Sequence, residues 1–220
     1  MIYVPITNIN INYTVYNDLT YIKLDSSLTE TNLNRALNNL SLCNKIIGLN
    51  CSGCKKITSL PVLPNLTKLN CSGCKKITSL PVLPNLTKLN CSGCKKITSL
   101  PVLPNLTKLN CSGCKKITSL PVLSNLITLD CNDCINLTYL PPLSNLTNFA
   151  CSGCTKIVSL PLELCNLTIL NCSNCKNLTS LPEILDNLVT IDCRGCTKLI
   201  KLNLVNQLIH LGKMKELILF

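Results

Sequence analysis

Sixteen of the eighteen cysteines fall in eight Cys-x-x-Cys pairs, running from Cys51/Cys54 to Cys193/Cys196, while Cys43 and Cys165 stand alone. Two neighbouring pairs, such as Cys51/Cys54 and Cys71/Cys74, would offer four thiolates, the number that a tetrahedral zinc ion takes. Oxidation of the same sulfurs would instead give a disulfide ladder. A third reading needs no chemistry, because a buried neutral thiol behaves as a small hydrophobe. Nucleophilic catalysis lacks a base: the single histidine, His210, is far in sequence from the run of pairs and reads as an ordinary residue of a terminal cap. There is no GxxxxGK[ST] phosphate loop, no triad and no pair of catalytic carboxylates.

Lysine is the second candidate. The net charge is +11, and residues 51–118 hold eleven lysines with no Asp or Glu, whereas the rest of the chain has ten basic and ten acidic residues. One segment therefore carries all the excess charge. It would attract an acidic partner through its local field. Aromatic residues make up only 3% of the chain, so the lysines have no series of stacking platforms, which makes nucleic acid a less suitable partner than protein.

The elements that position these residues are set by a repeat. The stretch "LNCSGCKKITSLPVLPNLTK" from Leu69 to Lys88 begins again at Leu89, and aligned copies start at Ile46, Leu66, Leu86, Leu106, Leu126, Leu146, Leu167 and Leu188. Five of the intervals are 20 residues and two are 21. A thiol-free copy precedes them at "LTYIKLDSSL", with Leu19, Ile22 and Leu24 in the matching places and a 27-residue spacing to Ile46. Between the two, "TETNLNRALNNLSL" predicts a short helix capped by Ser27 or Thr29. Alternation across Ile9, Ile11, Tyr13 and Val15 predicts a strand or hairpin covering the end of the stack. Irregular ends around regular middles are what a stack of repeats needs, since a terminal layer otherwise exposes an apolar face.

Within a copy, Leu66, Leu69 and Cys71 alternate with polar neighbours, which predicts a short strand around Lys68 to Ser72. Gly73 permits a turn. The return leg "ITSLPVLPN" carries two prolines, which forbid a helix and favour extended, polyproline-like backbone with Ile77, Leu80 and Leu83 facing inward. Strands stacked about 4.8 Å apart would make eight rungs roughly 40 Å long. At that spacing in-register cysteines meet the Cα limits of a disulfide, but their parallel Cβ atoms stay wider than the usual ~3.8 Å.

These residues resemble the leucine-rich repeat, whose core reads L-x-x-L-x-L-x-x-N/C-x-L; Cys71 takes the third aliphatic place and Cys74 the Asn/Cys place. The resemblance covers about residues 19–205. "SGC" before "ITSLP" is similar to the cysteine-type repeats of plant intracellular immune receptors, the 20-residue period with "LPVLP" to the short repeats of secreted bacterial effectors, and the near-identity of copies to repeat proteins of giant amoebal viruses. One departure stands out, since the third aliphatic place is Cys in all eight thiol-bearing copies. The resemblance implies an α/β-type repeat solenoid: a right-handed leucine-rich-repeat coil with a parallel β-sheet on its concave face, extended segments on its convex face and little helix outside the N-terminal cap. Expected boundaries are 1–45 for the N-terminal cap with its degenerate longer repeat, 46–207 for eight repeats, and 208–220 for the C-terminal cap.

Alternation then stacks the outward residues into columns. The expected partner-binding set comprises Lys68, Lys88 and Lys108, then Asn70, Asn90 and Asn110, then Ser72, Ser92 and Ser112, with Lys75, Lys76, Lys95 and Lys96 on a ridge beside the sheet. The expected function is a non-catalytic protein-interaction module with an acidic protein partner, working as a monomer without metal or cofactor. A thiol protein that responds to metal or redox state and a polyanion binder are the alternatives, and lysines that merely keep an apolar rod soluble are the plain explanation of the charge. The N-terminus lacks the basic start, apolar run and cleavage site of a secretory signal, and no apolar run reaches membrane-spanning length. A reducing, cytoplasmic setting, with a host cell's cytoplasm as the alternative, is therefore expected.

Overall fold

The structure, a computed structural model, describes residues 2–3, 11–16, 19–27, 29, 31, 33, 44–199 and 216–218. Its core is built from one inward-facing set per copy. In the copy that begins at Leu66 the set is Leu66, Leu69, Cys71, Cys74, Ile77, Leu80 and Leu83, none more than 7% exposed. The later thiol-bearing copies up to the one that begins at Leu167 bury the matching residues, with Phe149 replacing the leucine at Leu69; the last copy buries Leu188, Ile191, Cys193 and Cys196, with Leu199 packed partly buried against them. Among the described residues no buried side chain is larger than the Phe149 ring, so each layer is thin.

The described strands form one twelve-stranded sheet in chain order. Strands β1 (Ile2–Tyr3), β2 (Ile11–Tyr16) and β3 (Leu19–Leu24) are antiparallel, with Ile11 opposite Leu24 and Tyr16 opposite Leu19. The hairpin expected at the N-terminal end is therefore present, and it extends the sheet; Ile9 lies outside the described residues. From β3 onward every pairing is parallel, through β4 (Ile46–Asn50), β5 (Lys68–Asn70), β6 (Lys88–Asn90), β7 (Lys108–Asn110) and β8 (Thr128–Asp130). The series continues through β9 (Asn148–Ala150), β10 (Ile169–Asn171), β11 (Thr190–Asp192) and β12 (Glu216–Ile218). Ile22 pairs with Leu49, which makes the thiol-free copy a true member of the stack.

Each regular strand is only three residues long, shorter than the alternation suggests. The inter-rung ladder nevertheless runs past it: Cys51 N–H donates to Asn70 O at 2.8 Å and Gly53 N–H to Ser72 O at 2.7 Å. Gly73 then turns the chain at φ 69°, in the left-handed region; Asp133 (φ 56°) and Asn174 (φ 59°) take that place in two copies, and both residue types tolerate it. The return leg is non-helical and carries Val62, Val82, Val102 and Val122, each following a proline, on the outside. Of the helix expected before Ile46, Thr31 and Leu33 are helical, and Leu33 N–H donates to Thr29 O at 2.9 Å; its remainder, the end of the last repeat and His210 lie outside the described residues.

Candidate functional site

The cysteine pairs were the first candidate, and the structure gives both members packing roles. All sixteen paired cysteines are buried and free of disulfides, whereas Cys165 is exposed. The first member of each pair fills the core below the strand. The second hydrogen-bonds across rungs: Cys74 Sγ donates to Cys51 O at 3.0 Å, Cys94 to Cys71 O at 3.1 Å, Cys114 to Cys91 O at 3.1 Å, and so on to Cys196 and Cys172 O at 2.9 Å. The accepting carbonyl also closes the local turn by taking the Cys54 N–H at 3.1 Å. The hydrogen bond shared with the first cysteine of the preceding pair draws Cys74, Cys94, Cys134 and Cys196 below the ordinary thiol range, against the effect of burial, and raises that first cysteine in turn. The neighbouring Cys94 thiol and burial hold Cys71 well above the ordinary thiol range. Burial, then Cys74 and Asp25, pushes Cys54 up to about 11, and burial, then Cys196 and Asp192, does the same for Cys193. Among the described residues no group of three or more His, Cys, Asp or Glu is arranged to hold a metal ion.

The lysine column forms a defined place on the sheet. Parallel pairing puts Lys68, Lys88 and Lys108 in register, all exposed. Together with the Asn column they line a depression of about 800 Å³ on the outer face of the sheet. Its N-terminal wall is Tyr21, which is in register with Gly48, the residue that stands where later rungs carry lysine. A Cβ on Gly48 would collide with the Tyr21 ring, so the missing side chain lets the ring lie down. Lys68 Nζ sits 5.3 Å from the ring centroid and 3.4 Å from the phenol oxygen. At the opposite end the columns change to Thr128 and Asp130. Asp130 is fixed there by the Ser112 hydroxyl at 2.5 Å, the Asn132 N–H at 3.1 Å and the Asn110 amide at 3.3 Å. Lys23, in register with Asn50, heads the Asn column.

Two comparisons bear on this geometry. A profile described as leucine rich repeats (2 copies) matches residues 84–125, and one described as leucine rich repeat matches residues 166–188. The matched segments contain the rungs of β6, β7 and β10 of the parallel stack. The chain carries leucine-rich repeats. No curated protein matches it.

Within these leucine-rich repeats the expected site residues separate into two groups. Lys68, Lys88, Lys108, Asn70, Asn90 and Asn110 line the depression; Ser72, Ser92, Ser112 and the ridge lysines Lys75, Lys76, Lys95 and Lys96 are not part of its lining. The asparagines also have a structural task that alternation does not reveal. Asn70 Oδ1 accepts the Ser72 N–H at 3.0 Å, and Asn50, Asn90 and Asn110 do the same for Ser52, Ser92 and Ser112. Each one holds the turn that ends its strand. Tyr21 escaped the sequence reading because its repeat is 27 residues from the next and a bulge between Thr20 and Tyr21 shifts the register.

On the other side of the strands the leucine-rich repeats carry a second ladder. Thr87 Oγ1 donates to Thr67 O at 3.0 Å and Asn85 Nδ2 to Pro64 O at 2.9 Å, and Thr67, Asn85 and Thr87 line a groove of about 1220 Å³ along the stack. "NLT" therefore recurs because Asn and Thr both tie rung to rung, a role legible only once the copies are stacked. No helix among the described residues is long and apolar enough to cross a membrane.

Proposed function

We propose that the chain is a non-catalytic protein-interaction module that binds an acidic protein on the lysine-bearing face of its sheet, with the neighbouring ridge adding attraction at a distance. One comparison between copies carries this reading. At the position of Lys76, Lys96 and Lys116 two other copies have Asn136 and Asn177, whose amides donate to Lys115 O and Thr155 O of the preceding rung, both at 2.7 Å. The scaffold thus accepts at this position a residue that ties rungs together, yet four consecutive copies carry an exposed lysine there and repel one another. Like charges gathered at a cost to the scaffold are what an anionic ligand needs. The sixteen buried thiols suit a reducing, cytoplasmic compartment.

The test is capture of partners from cells that express the chain, followed by affinity measurement with the identified protein. Lys88→Thr with Lys108→Thr places the side chain native at Thr128 into the column and leaves the rungs intact. It should weaken the partner at least tenfold and flatten the salt dependence. Unchanged affinity would remove the sheet face from consideration.

A further inference from the structure

We infer that the element received by the sheet face is an acidic α-helix lying along the stack with one carboxylate per turn over one lysine per rung, an inference that rests on the acidic-partner reading above. Three observations lead to it.

The first is spacing. Lys68, Lys88 and Lys108 are in strict register on adjacent parallel strands. Adjacent strands lie about 4.8 Å apart, so the outer two lysines stand roughly 10 Å apart along the stack. An α-helix rises about 1.5 Å per residue, so side chains at i, i+4 and i+7, which share one face, span about 10.5 Å. An extended strand repeats its face about every 6.8 Å and would overshoot the same three lysines by nearly 4 Å. The residual mismatch for a helix is well within the play of a four-carbon lysine stem.

The second is how the column ends. It does not fade out; it stops at an aromatic ring on one side and at Thr128 on the other, where Asp130 ends the neighbouring Asn column. Tyr21 occupies the next place beyond Lys68 because Gly48 leaves it room. An apolar side chain at i+11 of the same helical face would reach that ring, about 16.5 Å from residue i.

The third is polarity. Asp130, anchored by Ser112, Asn110 and Asn132, is a fixed negative charge at the C-terminal end of the depression, and Lys23 and Lys68 are cations at the other. A helix N-terminus is favoured beside an anion and its C-terminus beside cations. The helix therefore lies with its N-terminus over Asp130. Its recognition face reads Glu-x-x-x-Glu-x-x-Glu-x-x-x-Leu, meeting Lys108, Lys88, Lys68 and Tyr21 in turn.

The experiment uses the full chain and fluorescently labelled Ala-based peptides of equal length and charge, read by anisotropy. One peptide carries the face just given, a second scatters the same three Glu residues around the helix, and a third keeps the face but has a central proline. The first should bind at least tenfold tighter than the other two, with a gain of helical circular dichroism on binding. Lys88→Thr should weaken it at least fivefold, and Tyr21→Ala should weaken it only while the terminal Leu is present. Equal binding of the first and third peptides would overturn the helix while leaving the acidic-partner reading intact. Binding of all three that ignores Lys88→Thr and Lys108→Thr would overturn both. A single-stranded oligonucleotide of the same charge that binds tighter than any peptide would also overturn the proposal, assigning the depression to nucleic acid.

Discussion

At the residue scale the two cysteines of a pair look alike in sequence and differ in the fold. Cys91 is surrounded by core and by the Cys114 sulfur, whereas Cys94 donates to the Cys71 carbonyl at 3.1 Å. Serine should discriminate between them. Cys94→Ser keeps a donor aimed at an acceptor and should cost less than about 1 kcal/mol. Cys91→Ser buries a hydroxyl without a good partner and should cost about 1–3 kcal/mol in urea unfolding. Ionisation adds a pH test. Burial raises the folded-state pKa of Cys54 and Cys193 to about 11 from an ordinary value near 9. The unfolded chain therefore loses its thiol protons first, and the contribution of these groups is complete below pH 9 and drains away as the pH rises toward 11. The urea midpoint should fall across that window. Among the described cysteines, native alkylation at pH 8 should modify Cys165 alone. The inward direction of the thiols was legible in the alternation; the bond made by the second one was not, since its acceptor lies 23 residues away in sequence.

At the element scale the rung is the natural unit, and each copy serves as a control for the others. Lys76→Asn imports the arrangement of Asn136, so it should stabilise the chain by about 0.5–1 kcal/mol while removing a positive charge. A thermal scan in low salt would read the gain. Gly48→Ala works in the opposite sense, since its Cβ must displace the Tyr21 ring from the end of the lysine column. That change should leave the parallel stack intact by circular dichroism yet lower the affinity of any ligand that touches Tyr21. Strand position, turn and return leg all followed from a period of 20 and the placement of Gly and Pro. The aromatic wall did not, because it depends on a bulge and on a copy of different length, and neither leaves a periodic trace.

On the scale of the molecule, stability is a sum over rungs and their contacts with neighbours. Excision of residues 89–108 removes one rung and rejoins Lys88 to a segment whose first fifteen residues, from Leu109 to Leu123, repeat those of the one deleted. The shortened chain should fold with the same circular dichroism per residue and a lower unfolding midpoint, and its lysine column would hold two members in place of three. Excision of ten residues should abolish folding, since it places polar side chains at inward positions. The parallel, in-register pairing of β5, β6 and β7 has one more consequence. Because these strands and their flanks are interchangeable, a refolding chain can bypass one of them, join β5 to β7 with a correct-looking interface, and leave a twenty-residue loop outside. Such slipped species would be locally native and globally short by one layer, and escape from them would require reopening a good contact. Refolding should therefore show a slow phase that vanishes when the identical copies are made distinguishable at their inward positions.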